Sequence, residues 1–131
     1  MRVDAFRPED LEDIELQDAQ VYLAPHLGEL AELSVCGDAW TVRDGRILGC
    51  GGLVMTSLGA HLWGVVAKDA PMLRLHRIVS RGLDTYRMRI TATADFPAGC
   101  RWLQLLGFEF VETLRGVGET GADHHVYARP A

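Results

Sequence analysis

Apolar and polar positions along this chain change rhythm repeatedly, and each change predicts an element. Val3 to Arg7 reads as a strand ended by Pro8. Over Pro8–Leu23 the apolar Leu11 and Ile14 lie on one side while Glu9, Glu12, Asp13 and Glu15 fall elsewhere, which predicts an amphipathic helix. A second helix is expected over Pro25–Cys36, where Leu27, Leu30, Ala31 and Val35 keep the helical period until Gly37 and Asp38 interrupt it. Alternation then takes over: Trp40 and Val42 against Thr41 and Arg43, with Asp44-Gly45 predicting a two-residue hairpin turn with positive φ at both positions. The return strand covers Ile47–Met55 and another covers Ala60–Ala67. Pro71 opens a helix to about Leu83, with Met72, Leu75 and Val79 on one stripe and Arg74, Arg77 and Arg81 on another. A strand over Arg87–Ala94, a helix over Pro97–Leu106, a strand over Phe108–Leu114 and a last strand over Val126–Arg129 complete the chain.

The order β-α-α-β-β-β-α-β-α-β-β predicts a single α/β domain with a mixed central sheet and helices on both faces. Ile47–Ala67 contains no Asp, Glu, Lys or Arg, but its five glycines and the Ser57-Leu58-Gly59 turn fit two buried strands better than a membrane span. No apolar stretch follows Met1, so no secretory leader is expected. Three widely spaced cysteines, Cys36, Cys50 and Cys100, give no disulfide framework and fit a reducing, cytoplasmic setting.

The net charge of −5 is unevenly distributed: residues 1–45 carry 11 acidic and 3 basic side chains, the remainder 7 and 10. Such polarity either steers an anionic ligand or reflects a solvated acidic face. Gly116-Val117-Gly118-Glu119-Thr120-Gly121 spells G-x-G-x-x-G, yet a strand rather than a helix follows, so it is read as a loop and not a dinucleotide site. The cysteines and histidines lack metal-ligand spacing, and no metal site is expected. Arg74, Arg77, Arg81, Arg87 and Arg89 offer a possible phosphate track. The chain is acidic overall, however, and nucleic-acid binding ranks third among the readings.

The most distinctive stretch is Asp95–Arg115, DFPAGCRWLQLLGFEFVETLR. It resembles the last helix and following strand of the GNAT N-acetyltransferase family, whose members usually carry an asparagine, then a tyrosine, then Leu-Gly-Phe. Arg43–Leu53, RDGRILGCGGL, resembles the same family's second hairpin, and the element order matches along nearly the whole chain. The resemblance implies a GNAT-like fold. It also implies acetyl-CoA (or CoA) as cofactor, with pantetheine along Val65, Val66 and Ala67 and phosphates near Lys68, Arg74 and Arg77. The family's Arg/Gln-x-x-Gly-x-Gly/Ala phosphate loop would fall on Val65–Arg74, which has no glycine and carries Asp69 and Pro71.

The chemistry departs from the family as well. Leu103 stands where the family's acidic tyrosine would be and cannot donate a proton; Phe96 stands at the asparagine, with Asp95 beside it as a helix cap or a polar substitute. His61, His124 and His125 are the candidates for a general base, each equally readable as a surface or loop residue. Taken whole, FRPEDLEDIE and PAGCRWLQLLGFEFVETLRG resemble a family of GNAT-like internal virion proteins of short-tailed bacteriophages. The leading expectation is therefore a GNAT-fold protein with an eroded acetyl-CoA site. It would act as a virion or assembly partner, in the cytoplasm of a bacterial host or associated with the virion. An active acetyl-CoA-dependent N-acyltransferase acting on an amine is the alternative.

Overall fold

The computed structural model describes residues 1–118 and 120–131, so Glu119 of the glycine-rich loop lies outside the described residues. Seven strands are present: β1 (Arg2–Ala5), β2 (Ala39–Asp44), β3 (Arg46–Thr56), β4 (Gly59–Val66), β5 (Ile90–Ala94), β6 (Glu109–Leu114) and β7 (His124–Arg129). They hydrogen-bond in the order β1-β2-β3-β4-β5-β7-β6. β1–β2, β2–β3, β5–β7 and β6–β7 are antiparallel, while β4 and β5 run parallel, so the sheet is mixed as the element order requires. No helix among the described residues is long and apolar enough to cross a membrane; Ile47–Ala67 forms β3, its turn and β4.

The chain divides into two compact units, Met1–Met55 with Trp63–Ile78, and Thr56–Leu62 with Val79–Ala131. The first is built on a cluster of Leu11, Ile14, Ile47, Cys50, Trp63, Val65 and Ala67, against which Phe6, Leu16, Leu23, Leu27 and Leu30 pack. Phe6 meets Trp63 edge-on at 5.5 Å. Gly52 is required here, because a Cβ would lie 2.5 Å from Asp38 O and 2.8 Å from Trp63 Nε1.

The expected helix over Pro8–Leu23 is not formed. Only α1 (Asp10–Asp13) is α-helical; Ile14 is extended (ψ 133°), and a 3-10 segment follows over Asp18–His26 before α2 (Leu27–Leu33). Two polar demands override the helical pattern. Asp10, 1% exposed, leaves the helix surface to accept hydrogen bonds from Arg7 N–H (3.0 Å), Thr41 Oγ1 (2.7 Å) and the Arg43 guanidinium. Farther on, Leu16 bridges to Ala67, which draws the backbone out straight. The Asp44-Gly45 turn also differs from expectation, since only Gly45 has positive φ (+74°) and Asp44 pairs directly with Arg46.

In the second unit α4 (Pro97–Leu105) ends as the sequence suggested. Phe108 N–H reaches Leu103 O (3.0 Å) and Gly107 N–H reaches Gln104 O (3.1 Å), a paired closure that needs the positive φ of Gly107 (+93°). Leu103, Leu106, Phe108, Ile90, Ala92 and Tyr127 are buried there.

Burial alone would raise the Asp10 pKa, but the hydrogen bonds from Thr41, Arg7 and Arg43, with the Arg43 charge, outweigh it and hold the carboxyl below its ordinary value. The stabilisation is therefore present above roughly pH 4 and is lost as pH falls through the depressed folded-state pKa. Asp10→Asn is expected to cost about 2–3 kcal/mol in urea unfolding at pH 7. The gap from wild type should narrow as pH drops below about 4; an unchanged gap at acid pH contradicts the role given to the carboxylate.

Candidate functional site

β4 carries the residues expected to face a cofactor, and its two edges behave differently. Ala67 N–H donates to Leu48 O on β3 (2.9 Å), and Val65 O lies against Gly49 of β3. Strand alternation then turns the backbone groups of Gly64 and Val66 to the opposite edge. On that edge the register with β5 comprises Ala60↔Ile90 and His61↔Thr91. Beyond His61 the chain's own residues 15–20 take over. Gln17 N–H donates to Val66 O (3.0 Å), and Lys68 N–H donates to Glu15 O (2.8 Å). The buried Gln20 side chain accepts from Val66 N–H (2.8 Å) and donates to Gly64 O (3.1 Å). Gln17 Nε2 holds Gln20 Oε1 in place at 2.9 Å.

The expected pantetheine strand thus presents an edge that the chain's own residues fill. Of Val65, Val66 and Ala67, only Val66 presents its groups to the outer edge, and Gly64 joins it. Both are already paired within the first unit, so an extended amide-bearing chain such as pantetheine does not fit the edge as it stands. Gln17, Gln20 and Gly64 were not singled out by the sequence. The available signal was the loss of helical period after Ile14, where polar Gln17 and Gln20 alternate with Leu16 out of phase.

The loop into α3 (Met72–Leu83) is likewise largely self-satisfied. Ala67 and Lys68 N–H are used as above, and Ala70 N–H turns back to Ala67 O (3.3 Å). Asp69 adopts a left-handed φ of +55°, and Arg46 braces its carbonyl at 3.1 Å. What remains for an anion is the first turn of α3, whose leading N–H groups lack intrahelical partners, with nearby cations. Lys68, Arg74 and Arg77 are exposed; Arg74 pairs with Asp44 at 3.3 Å. Their positive charge is of the sign that attracts anions, and the loop itself has no glycine.

The histidine candidates all belong to the second unit but do not converge. His61 is half-buried, and its Nδ1 is 2.8 Å from Thr91 Oγ1. The Thr91 hydroxyl also lies 3.4 Å from Ala60 O; donation there would have it accept from Nδ1–H and leave the lone pair on Nε2. Burial lowers the His61 pKa below its ordinary value, which keeps the ring neutral near pH 7. His125 Nδ1 is bonded to Thr113 Oγ1 (2.9 Å) and lies opposite Ala94, about 10 Å along β5 from Thr91. His124 Nε2 is buried without a hydrogen-bond partner among the described residues, 3.9 Å from Asp95 Oδ2.

Asp95 is thus no helix cap. That position belongs to Phe96, which makes no side-chain cap bond. Leu103, at the family's tyrosine, is 7% exposed and packs in the core. Cys50 is buried, and its thiol is pushed up to about 11 chiefly by that burial, which disfavours the thiolate. No cluster of three or more His, Cys, Asp or Glu side chains able to hold a metal occurs among the described residues.

No family model and no curated protein matches the chain. Solved structures do. A chimeric spermidine N-acetyltransferase built on the Vibrio cholerae protein matches with a TM-score of 0.74 at 16% identity, over 98% of this chain and 94% of that one. The aminoglycoside 6'-N-acetyltransferase from Enterococcus faecium gives 0.68 at 15% identity, over 98% and 96%. The ribosomal-protein-S5-alanine acetyltransferase from Vibrio fischeri gives 0.68 at 16% identity, over 98% and 91%. None of these is a phage virion protein, and the expected kinship with that family gains no support. Likeness at such identity speaks for architecture alone: this chain has the mixed α/β fold of the GNAT acetyltransferases, with its seven-stranded sheet intact.

Proposed function

We propose that this protein is an N-acyltransferase that moves an acyl group from an acyl-CoA to an amine. The observation that carries the reading is the fold correspondence, which spans nearly all of this chain and more than nine-tenths of proteins named for acetylation of a polyamine, an aminoglycoside and a protein alanine. Amine acylation is what those activities have in common. Lys68, Arg74 and Arg77 would meet the phosphates of the carrier by charge, in place of the glycine loop.

His61 is the residue of choice for taking the acceptor's proton. Its ring is neutral near pH 7, and with Nδ1–H donated to Thr91 the lone pair on Nε2 would take the proton. His124 beside Asp95 is the second candidate base and His125 the third. With Leu103 in the core, the leaving thiolate would take its proton from another source. The outer edge of β4 is filled by Gln17 and Gln20 in the conformation described.

A second reading is favoured by that same filled edge: a GNAT-fold protein without catalysis, acting in assembly. Calorimetry with acetyl-CoA separates the two. The N-acyltransferase reading expects binding that weakens at least about tenfold in Lys68→Glu/Arg74→Glu. Absence of heat in wild type, together with no thermal shift, favours the assembly role.

In acetylation assays with an amine such as spermidine, activity should fall as pH drops through the His61 pKa. Because burial lowers that pKa, the acid limb lies below about pH 6.5. His61→Gln should reduce kcat about 100-fold and abolish the limb. A limb that persists in His61→Gln rules this residue out and turns attention to His124.

A further inference from the structure

We infer that Glu15–Gln20 is an internal latch, which occupies the acyl-carrier edge of β4 and must leave it before a carrier can bind. The inference rests on the N-acyltransferase reading and adds to it a built-in competitor. Gln20 supplies what an amide of an extended ligand would supply: a carbonyl oxygen for Val66 N–H at 2.8 Å and an N–H for Gly64 O at 3.1 Å. Gln17 N–H then satisfies Val66 O at 3.0 Å. A side-chain amide thus stands in for a ligand amide, on the backbone groups that an added strand would use.

The segment meets the β4 edge mainly through polar groups, with Leu16 half-buried against the core. From Asp18 to Cys36 the single buried residue is Gln20, so the most deeply held side chain of this stretch is bound by polar contacts to the β4 edge. Val21, Leu33 and Val35 are exposed, and Leu23, Leu27 and Leu30 are half-buried against the first unit's core. The nine-residue 3-10 run with Pro25 inside it is longer than such helices usually persist, and its hydrogen-bond geometry is poorer than an α-helix's. Polar closure on an extended edge is replaceable by an equivalent set of hydrogen bonds at small net change, whereas displacing an apolar plug would not be. Carrier affinity is then reduced by the fraction of molecules with the latch closed.

Leu16 and Ala67 provide a lock. They are antiparallel partners, flanked by the Lys68–Glu15 and Gln17–Val66 bonds. That makes them a non-hydrogen-bonded pair, with Cα atoms typically about 4.5 Å apart and within disulfide range. Leu16→Cys/Ala67→Cys, made with Cys36→Ser to remove the exposed thiol, is titrated with acetyl-CoA oxidised and again after reduction. Gln20→Ala is titrated in parallel. Binding by the reduced protein that weakens at least tenfold on oxidation, with tighter binding by Gln20→Ala than by wild type, is the expected result. Equal affinity in the oxidised and reduced forms overturns the latch while leaving acyl-CoA binding in place. Absence of binding by wild type, Gln20→Ala and the reduced lock alike overturns the N-acyltransferase reading and the latch together.

Discussion

The outer edge of β4 governs much of the first unit. A strand whose pairing with its neighbour stops at His61 leaves backbone N–H and C=O groups that are costly to bury unsatisfied. In this chain the groups of Gly64 and Val66 are answered from within, by Gln17 and Gln20. That demand sets the path of residues 14–20. Ile14 turns extended, Leu16 bridges Ala67, and the expected amphipathic helix gives way to a short α1 and a 3-10 run. Leu11 and Ile14 still reach the core, so the apolar pattern is honoured while its helical continuation is not.

The neighbouring loop follows the same logic. Ala67, Lys68 and Ala70 spend their N–H groups on Leu48, Glu15 and Ala67, and Arg46 steadies the left-handed Asp69. A glycine-rich loop offers backbone donors to an anion; this loop keeps most of its donors for itself and offers charged side chains instead. The two arrangements answer an anion differently. Backbone donors are fixed in place, whereas Lys68, Arg74 and Arg77 are exposed side chains whose attraction is screened by salt.

The architecture was legible because its signals are local. Pro97 and Gly107 mark the ends of α4, and the strand pattern from Trp40 to Val66 gives β2, β3 and β4 in order. Where tertiary polar contacts decide, the sequence misleads. Asp10 looks like one more acid on a solvated face, yet it is nearly inaccessible and tied to Thr41 and Arg43. Gln20 looks like a surface residue, and only its contact with a strand 44 positions away reveals its place. His61 stood out as the sole ionisable side chain early in β4, but its tautomer depends on Thr91, 30 residues on. Asp95 reads as a cap because it precedes a proline-opened helix; the cap position instead falls to Phe96 and leaves Asp95 beside His124.

Amide hydrogen exchange at Lys68 and Val66, followed by NMR with and without saturating acetyl-CoA, tests most directly whether the β4 edge is a carrier site held shut from within. Lys68 N–H is held by Glu15 of the displaced segment, whereas Val66 N–H would pass from Gln20 to the incoming amide. The account predicts faster exchange at Lys68 with Val66 still protected. Unchanged exchange at both positions with acetyl-CoA demonstrably bound would contradict it.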